Sequence, residues 1–97
     1  MSTDDRQAAE RRVSELISLL RAQPDAQSYS AIIDEAEALQ RAIGAFHLEG
    51  IRFRMYNVDR AIAQRDAPAD ARAIVADVHR HLEAAGFHTR SHQAPTT

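Results

Sequence analysis

The sequence predicts an all-α protein. Alanine, arginine, leucine and glutamate are abundant, with only three glycines and three prolines to interrupt helices. Apolar residues recur at three- and four-residue spacing through most of the chain. Only one segment, Ile51 to Tyr56, alternates as a strand would, and it has no convincing partner strand. The expected architecture is three helices. A long central helix over about residues 30–64 is flanked by two shorter antiparallel ones, and the whole associates as a dimeric helical bundle. The alternative is a four-helix bundle with a break near Gly50, since glycine suits the left-handed residue that ends many helices. Residues 1–87 are expected to form a single helical domain, and residues 88–97 a flexible polar C-terminal tail.

The first helix is expected from Asp4 or Asp5 to Ala22. Ser2, Thr3 and Asp4 are candidate caps, and acids in the first turn suit the helix dipole. Ala9, Val13, Leu16, Ile17 and Leu20 fall on one stripe. Gln23-Pro24-Asp25 ends it, because the residue before proline avoids the α region. Asp25 or Ser28 then caps the next helix.

The central segment carries two stripes. Ile32, Ala36, Leu39, Ile43, Phe46, Gly50 and Phe53 form the first; His47, Ile51, Met55, Val58 and Ile62 form the second, beside it. Glu49, Arg52, Tyr56, Asp59 and Arg60 fall on the opposite side. Arg54 and Asn57 are polar on or beside the apolar face. Pro68 suits the first turn of the last helix, with Asp66 or Ala67 as its cap. Ala71, Ile74, Val75, Val78, Leu82 and Ala85 make its apolar stripe. Gly86 is placed to end it, with Phe87 folding back on the last turn as in a Schellman motif.

A helix of about 35 residues spans roughly 50 Å. Short connections would lay the first helix along its first half and the last helix along its second half, giving an elongated molecule with open apolar surface. Leaving Phe46, Ile51, Phe53, Met55 and Val58 half exposed would forfeit several kcal/mol at about 25 cal/mol per Å². A twofold partner is the common remedy. The prediction is therefore a homodimer whose long helices pack around Phe46 to Val58. The interface candidates are Phe46, His47, Ile51, Phe53, Arg54, Met55, Asn57 and Val58. His47 is expected to be a hydrogen-bonded core or interface residue, and Arg54 to need a partner across the dimer or a functional contact.

The chain of 97 residues has no cysteine, which excludes disulfides and thiolate zinc sites and fits a reducing, cytoplasmic setting. No apolar run reaches the ~20 residues of a membrane span, and the charged N-terminus does not read as a signal peptide. Twelve basic residues, all arginine, and fourteen acids give a net charge of −2, which argues against bulk electrostatic binding of nucleic acid. Arg52, Arg54, Arg60 and Arg65 nevertheless make one basic stretch. There is no Gly-rich phosphate loop, nucleophile elbow or HExxH motif. Five histidines are present; Asp77 with His81, and His88 with His92, have metal-ligand spacing but no supporting motif. No cofactor and no catalytic residue are expected. The leading functional expectation is a non-catalytic, homo-oligomeric protein–protein interaction or regulatory module with an unknown protein partner. The alternatives are a nucleic-acid-associated regulator acting through residues 52–65 and a histidine/carboxylate metal-binding protein.

Overall fold

A computed structural model describes residues 3–87. It contains four α-helices and no strand among the described residues: α1 (Thr3–Arg21), α2 (Ser30–Gly44), α3 (Leu48–Arg65) and α4 (Ala69–Ala84), with a 3-10 turn at Ala26–Tyr29 ahead of α2. The four-helix alternative therefore fits, and the continuous helix over 30–64 does not. The expected tail at 88–97 and the candidate cap Ser2 lie outside the described residues.

The break falls at residues 45–47, before Gly50 rather than at it. Phe46 takes the left-handed conformation, φ 57°. The His47 amide donates to the Ala42 carbonyl at 3.0 Å and the Phe46 amide to that of Ile43 at 3.1 Å, which closes α2 in a Schellman arrangement. A phenylalanine fills the position where glycine is usual, so no glycine marked the break. The break explains the two apolar stripes. Ile32, Ala36, Leu39 and Ile43 are the buried face of α2. Ile51, Met55, Val58 and Ile62 are the buried face of α3. The first stripe does not continue past the break: Phe46 and Phe53 are 58% and 56% exposed.

α1 is the central element. It packs against both α2 and α4, α2 packs on α3, and α3 and α4 meet only sparsely. Side-chain bonds fix the directions. Asp5 faces His81 and Arg12 faces Asp77, so α1 and α4 are antiparallel. Ser14 faces Gln40 and Arg21 faces Glu37, so α1 and α2 are antiparallel as well. The expectation that the last helix lies along the second half of the central segment is thus corrected: α4 docks mainly on α1. With the chain folded at residues 45–47, the molecule measures 38 × 29 × 20 Å rather than roughly 50 Å in length.

The core joins all four helices. The α1 stripe of Ala9, Val13, Leu16, Ile17 and Leu20 is buried throughout, as is the α4 stripe of Ala71, Ile74, Val75, Val78 and Leu82. Burying each large aliphatic side chain is worth roughly 1.5–3 kcal/mol. At the end of α4, Gly86 has φ 99° and the Phe87 amide donates to the Leu82 carbonyl at 2.8 Å, with the Phe87 ring buried. This is the Schellman closure expected from Gly86-Phe87. The start of α4 differs from expectation: Pro68 itself is the capping residue, its carbonyl accepting from the Ala71 and Arg72 amides at 3.0 and 3.2 Å. Asp25 makes no side-chain cap; its carbonyl accepts from the Ser28 hydroxyl instead.

Candidate interaction surface

The interface candidates separate into four groups. Ile51, Met55 and Val58 are fully buried in the chain's own core. Their apolar surface is covered by neighbouring helices of the same chain, so they need no second copy to shield them. Arg54 and Asn57 face α2, where both donate to Glu35 Oε1, at 3.1 and 3.2 Å. The partner Arg54 requires is therefore within the chain. His47 is exposed at the start of α3, and its Nδ1 accepts from the Gly50 amide at 2.9 Å. It is the α3 cap, not a core histidine. A Cβ on residue 50 would meet His47 Nδ1 at 2.5 Å, so glycine at 50 leaves room for this imidazole.

Phe46 and Phe53 are the exposed group, and they point to different places. Phe46 sits in the α2–α3 turn with the Arg6 guanidinium 4.3 Å from its ring centroid, a cation–π contact to α1. Phe53 stands on α3, with Arg54 over its ring at 5.0 Å. Three and seven residues beyond it are Tyr56, 41% exposed, and Arg60, whose guanidinium lies 5.5 Å from the Tyr56 ring. Four residues before it is Glu49.

Glu49, Phe53, Tyr56, Arg60 and Ala63 are all exposed and follow a 4-3-4-3 spacing, one continuous stripe on α3. A hollow of about 260 Å³ opens on this stripe, lined by Glu49, Arg52, Phe53 and Tyr56. On the side toward α2, Phe53 also borders a shallow groove of about 540 Å³ with Ala38, Ala42 and Ala45 in its wall. Phe53, Tyr56 and Arg60 border another, of about 470 Å³, with Ala31 and Ala61. Glu49, Arg52 and Arg60 make no ion pair among the described residues. The surface thus combines two large aromatic rings, a floor of small side chains and uncompensated charges of both signs. Aromatic and arginine side chains are among those enriched where protein surfaces meet.

The sequence placed Glu49, Arg52, Tyr56 and Arg60 on the outer side but did not single them out as a surface. Their signal was the stripe spacing read on α3 alone, and it emerges only once α3 is known to start at Leu48.

A second feature lies on the sparse α3–α4 seam. His79, 3% exposed, has its Nε2 3.0 and 2.9 Å from the two carboxylate oxygens of Asp59. A carboxylate only accepts, so Nε2 carries the proton. The adjoining groove, about 380 Å³, is lined by Asp59, Ile62, Ala63, Arg72, Val75, Ala76 and His79. None of these is a serine, threonine or cysteine, so the histidine–aspartate pair has no hydroxyl or thiol nucleophile in this groove to activate. The pair ties α4 to α3 where the backbone contacts are few.

Of the metal candidates, Asp77 and His81 have other partners. Asp77 accepts from Arg12 at 2.8 Å and from Arg80 at 2.6 Å, and His81 Nδ1 lies 3.2 Å from Asp5. His88 and His92 lie outside the described residues. Among the described residues no three histidine, aspartate or glutamate side chains are grouped to hold an ion. Hydrogen bonding from Arg80 is the main cause holding the Asp77 carboxyl below the usual aspartate range; burial opposes it and the bond from Arg12 adds to it. Arg12, hydrogen-bonded in turn to Glu15 and Asp77, is raised above its ordinary value despite the opposing effect of desolvation.

No helix among the described residues is long and apolar enough to cross a membrane. No protein-family model, curated protein or solved structure matches the chain.

Proposed function

We propose that this protein is a non-catalytic interaction module that associates with itself through the outer face of α3. The carrying observation is the pair of exposed aromatic rings at Phe53 and Tyr56, next to grooves with alanine in their walls. Two rings of this size, left in water on one helix face, gain from burial against another protein surface. The rest of α3 supports the reading. Its inner face is anchored by Ile51, Met55, Val58 and Ile62, so the outer side chains stand on a fixed scaffold. A cysteine-free chain suits the reducing cytoplasm, which is the compartment we propose.

Sedimentation equilibrium over a micromolar concentration series tests this. The wild-type chain is expected to associate reversibly, and Phe53→Ala with Tyr56→Ala to weaken association about tenfold or more. A wild-type chain that stays monomeric throughout the series overturns the reading.

A second reading rests on Arg52 and Arg60, two cations beside these rings that make no ion pair among the described residues. Arginine interleaved with exposed aromatics is the pattern of single-stranded nucleic-acid surfaces, where bases stack on the rings. Arg54 does not join them, being bonded to Glu35. The discriminating measurement is binding of a labelled single-stranded oligonucleotide at two salt concentrations. Affinity that falls steeply with salt supports this second reading, and no binding at low salt removes it.

A further inference from the structure

We infer that the α3 face is a self-complementary seam on which a second copy of this chain docks antiparallel, about a twofold axis between residues 54 and 55. The inference rests on the self-association just proposed, and it names the geometry and the residues that specify it.

The hollow on α3 is the first observation. Its lining residues, Glu49, Arg52, Phe53 and Tyr56, stand at i, i+3, i+4 and i+7. Four residues at this spacing form the diamond-shaped hole that receives one side chain from a facing helix in knobs-into-holes packing. Its midpoint along the helix falls between residues 52 and 53. The 4-3-4-3 stripe of Glu49, Phe53, Tyr56, Arg60 and Ala63 is the matching row of knobs, all exposed.

The order of charges along that row is the second observation. An acid, Glu49, stands at one end, the aromatics are in the middle, and a base, Arg60, follows them. Neither charge has an ion-pair partner among the described residues. In a twofold contact, residue i meets j and j meets i. An antiparallel crossing centred between 54 and 55 sets Phe53 against the partner copy's Tyr56 and Glu49 against its Arg60. Each pairing occurs twice. The same register brings the partner copy's Tyr56 over the hole lined by Glu49, Arg52, Phe53 and Tyr56. A parallel crossing would instead set Glu49 against Glu49 and Arg60 against Arg60, with repulsion at both ends. The charge order therefore selects the antiparallel register.

The groove walls are the third observation. Ala31, Ala38 and Ala42 border the grooves beside the stripe, on the flank toward α2. Their small side chains let a partner helix settle close to α3 and add contact area. A stable interface needs roughly 800 Å² from each copy, and a seam about two heptads long with this shoulder is at the lower end of that scale. The expected complex is a reversible dimer, not a permanent one.

Charge reversal tests the register. Sedimentation velocity is run on wild type, Glu49→Arg, Arg60→Glu and the double variant Glu49→Arg/Arg60→Glu, with circular dichroism to confirm helicity. Each single reversal places two like-charged pairs across the seam, and the dimer dissociation constant is expected to rise about tenfold. The double variant restores both pairs with signs exchanged and is expected to return within about threefold of wild type. Single variants that dimerise like wild type, or a double variant as weak as the singles, overturn the register while leaving self-association standing. A wild-type chain that never dimerises overturns both.

Discussion

Phe46 holds the backbone in a conformation that most side chains avoid. Its φ of 57° ends α2, and a left-handed residue other than glycine costs roughly 1–2 kcal/mol because Cβ approaches the following carbonyl oxygen. The ring under Arg6 compensates in part, a contact worth about 0.5–1 kcal/mol at an exposed site. Comparing two substitutions isolates the backbone cost. Phe46→Gly and Phe46→Ala both lose the ring, but only glycine accepts the left-handed conformation without strain. Phe46→Gly is expected to be about 1 kcal/mol more stable than Phe46→Ala in urea unfolding. Equal stabilities would show that the turn relaxes to another conformation in the alanine variant. This one residue also accounts for much of what the sequence concealed. Gly86 could be read as a helix end because glycine is the usual left-handed residue, whereas Phe46, large and apolar, read as part of a continuous apolar stripe and an interface candidate.

At the scale of helices, α1 holds α4 through the Arg12–Asp77 bond, while Arg80 holds Asp77 from within α4. These bonds favour the ionised carboxylate in the folded chain, so the folded acid lies below the ordinary aspartate range. The unfolded chain then takes up a proton first as pH falls. The stabilisation is therefore fully present above the ordinary aspartate value of about 3.9, and is lost as pH drops through the lowered folded value. Asp77→Asn is expected to lower stability at pH 7 by a small amount, because solvent screens the two ion pairs. Below pH 4 the difference between variant and wild type should shrink toward zero. Thermal unfolding followed at pH 7, 5, 4 and 3 checks it, and a gap that stays constant with pH would assign the effect to packing instead. The spacing of apolar residues anticipated the buried faces of α1 and α4 closely. It did not anticipate that α4 pairs with α1. Helical periodicity says which face of a helix is buried, but not which neighbour buries it.

Across the whole molecule, the division between core and surface on α3 sets what each apolar residue does. Met55 is fully buried and Phe53 is 56% exposed, although they are two residues apart. Met55→Ala is expected to cost 2–5 kcal/mol of folding stability, since it leaves a cavity where α3 meets the core. Phe53→Ala is expected to change monomer stability by less than about 1 kcal/mol and to act on association instead. Chemical denaturation at a fixed low concentration, set beside the concentration dependence of sedimentation, separates the two effects. A large loss of monomer stability for Phe53→Ala would place its ring in the core. The same arrangement answers the expected excess of open apolar surface. Folding back at residues 45–47 lays α3 against α2 while α2 and α4 pack on α1, so most of the apolar stripe residues need no second copy. What stays exposed is the narrower outer stripe of α3.

The amino-acid sequence alone determined the helical class, the buried stripes of α1, α2 and α4, the inner stripe of α3 and the glycine-closed end of α4. All of these follow from spacing and local backbone preference, which act within a few residues. Tertiary structure decided that the chain turns back at Phe46, that α4 rests on α1, that Arg54 and Asn57 share Glu35, and that Glu49, Phe53, Tyr56 and Arg60 face outward together. These depend on which helix lies beside which. A left-handed phenylalanine and a pairing of residues 65 positions apart, such as Arg12 with Asp77, leave no local pattern for a one-dimensional reading to find.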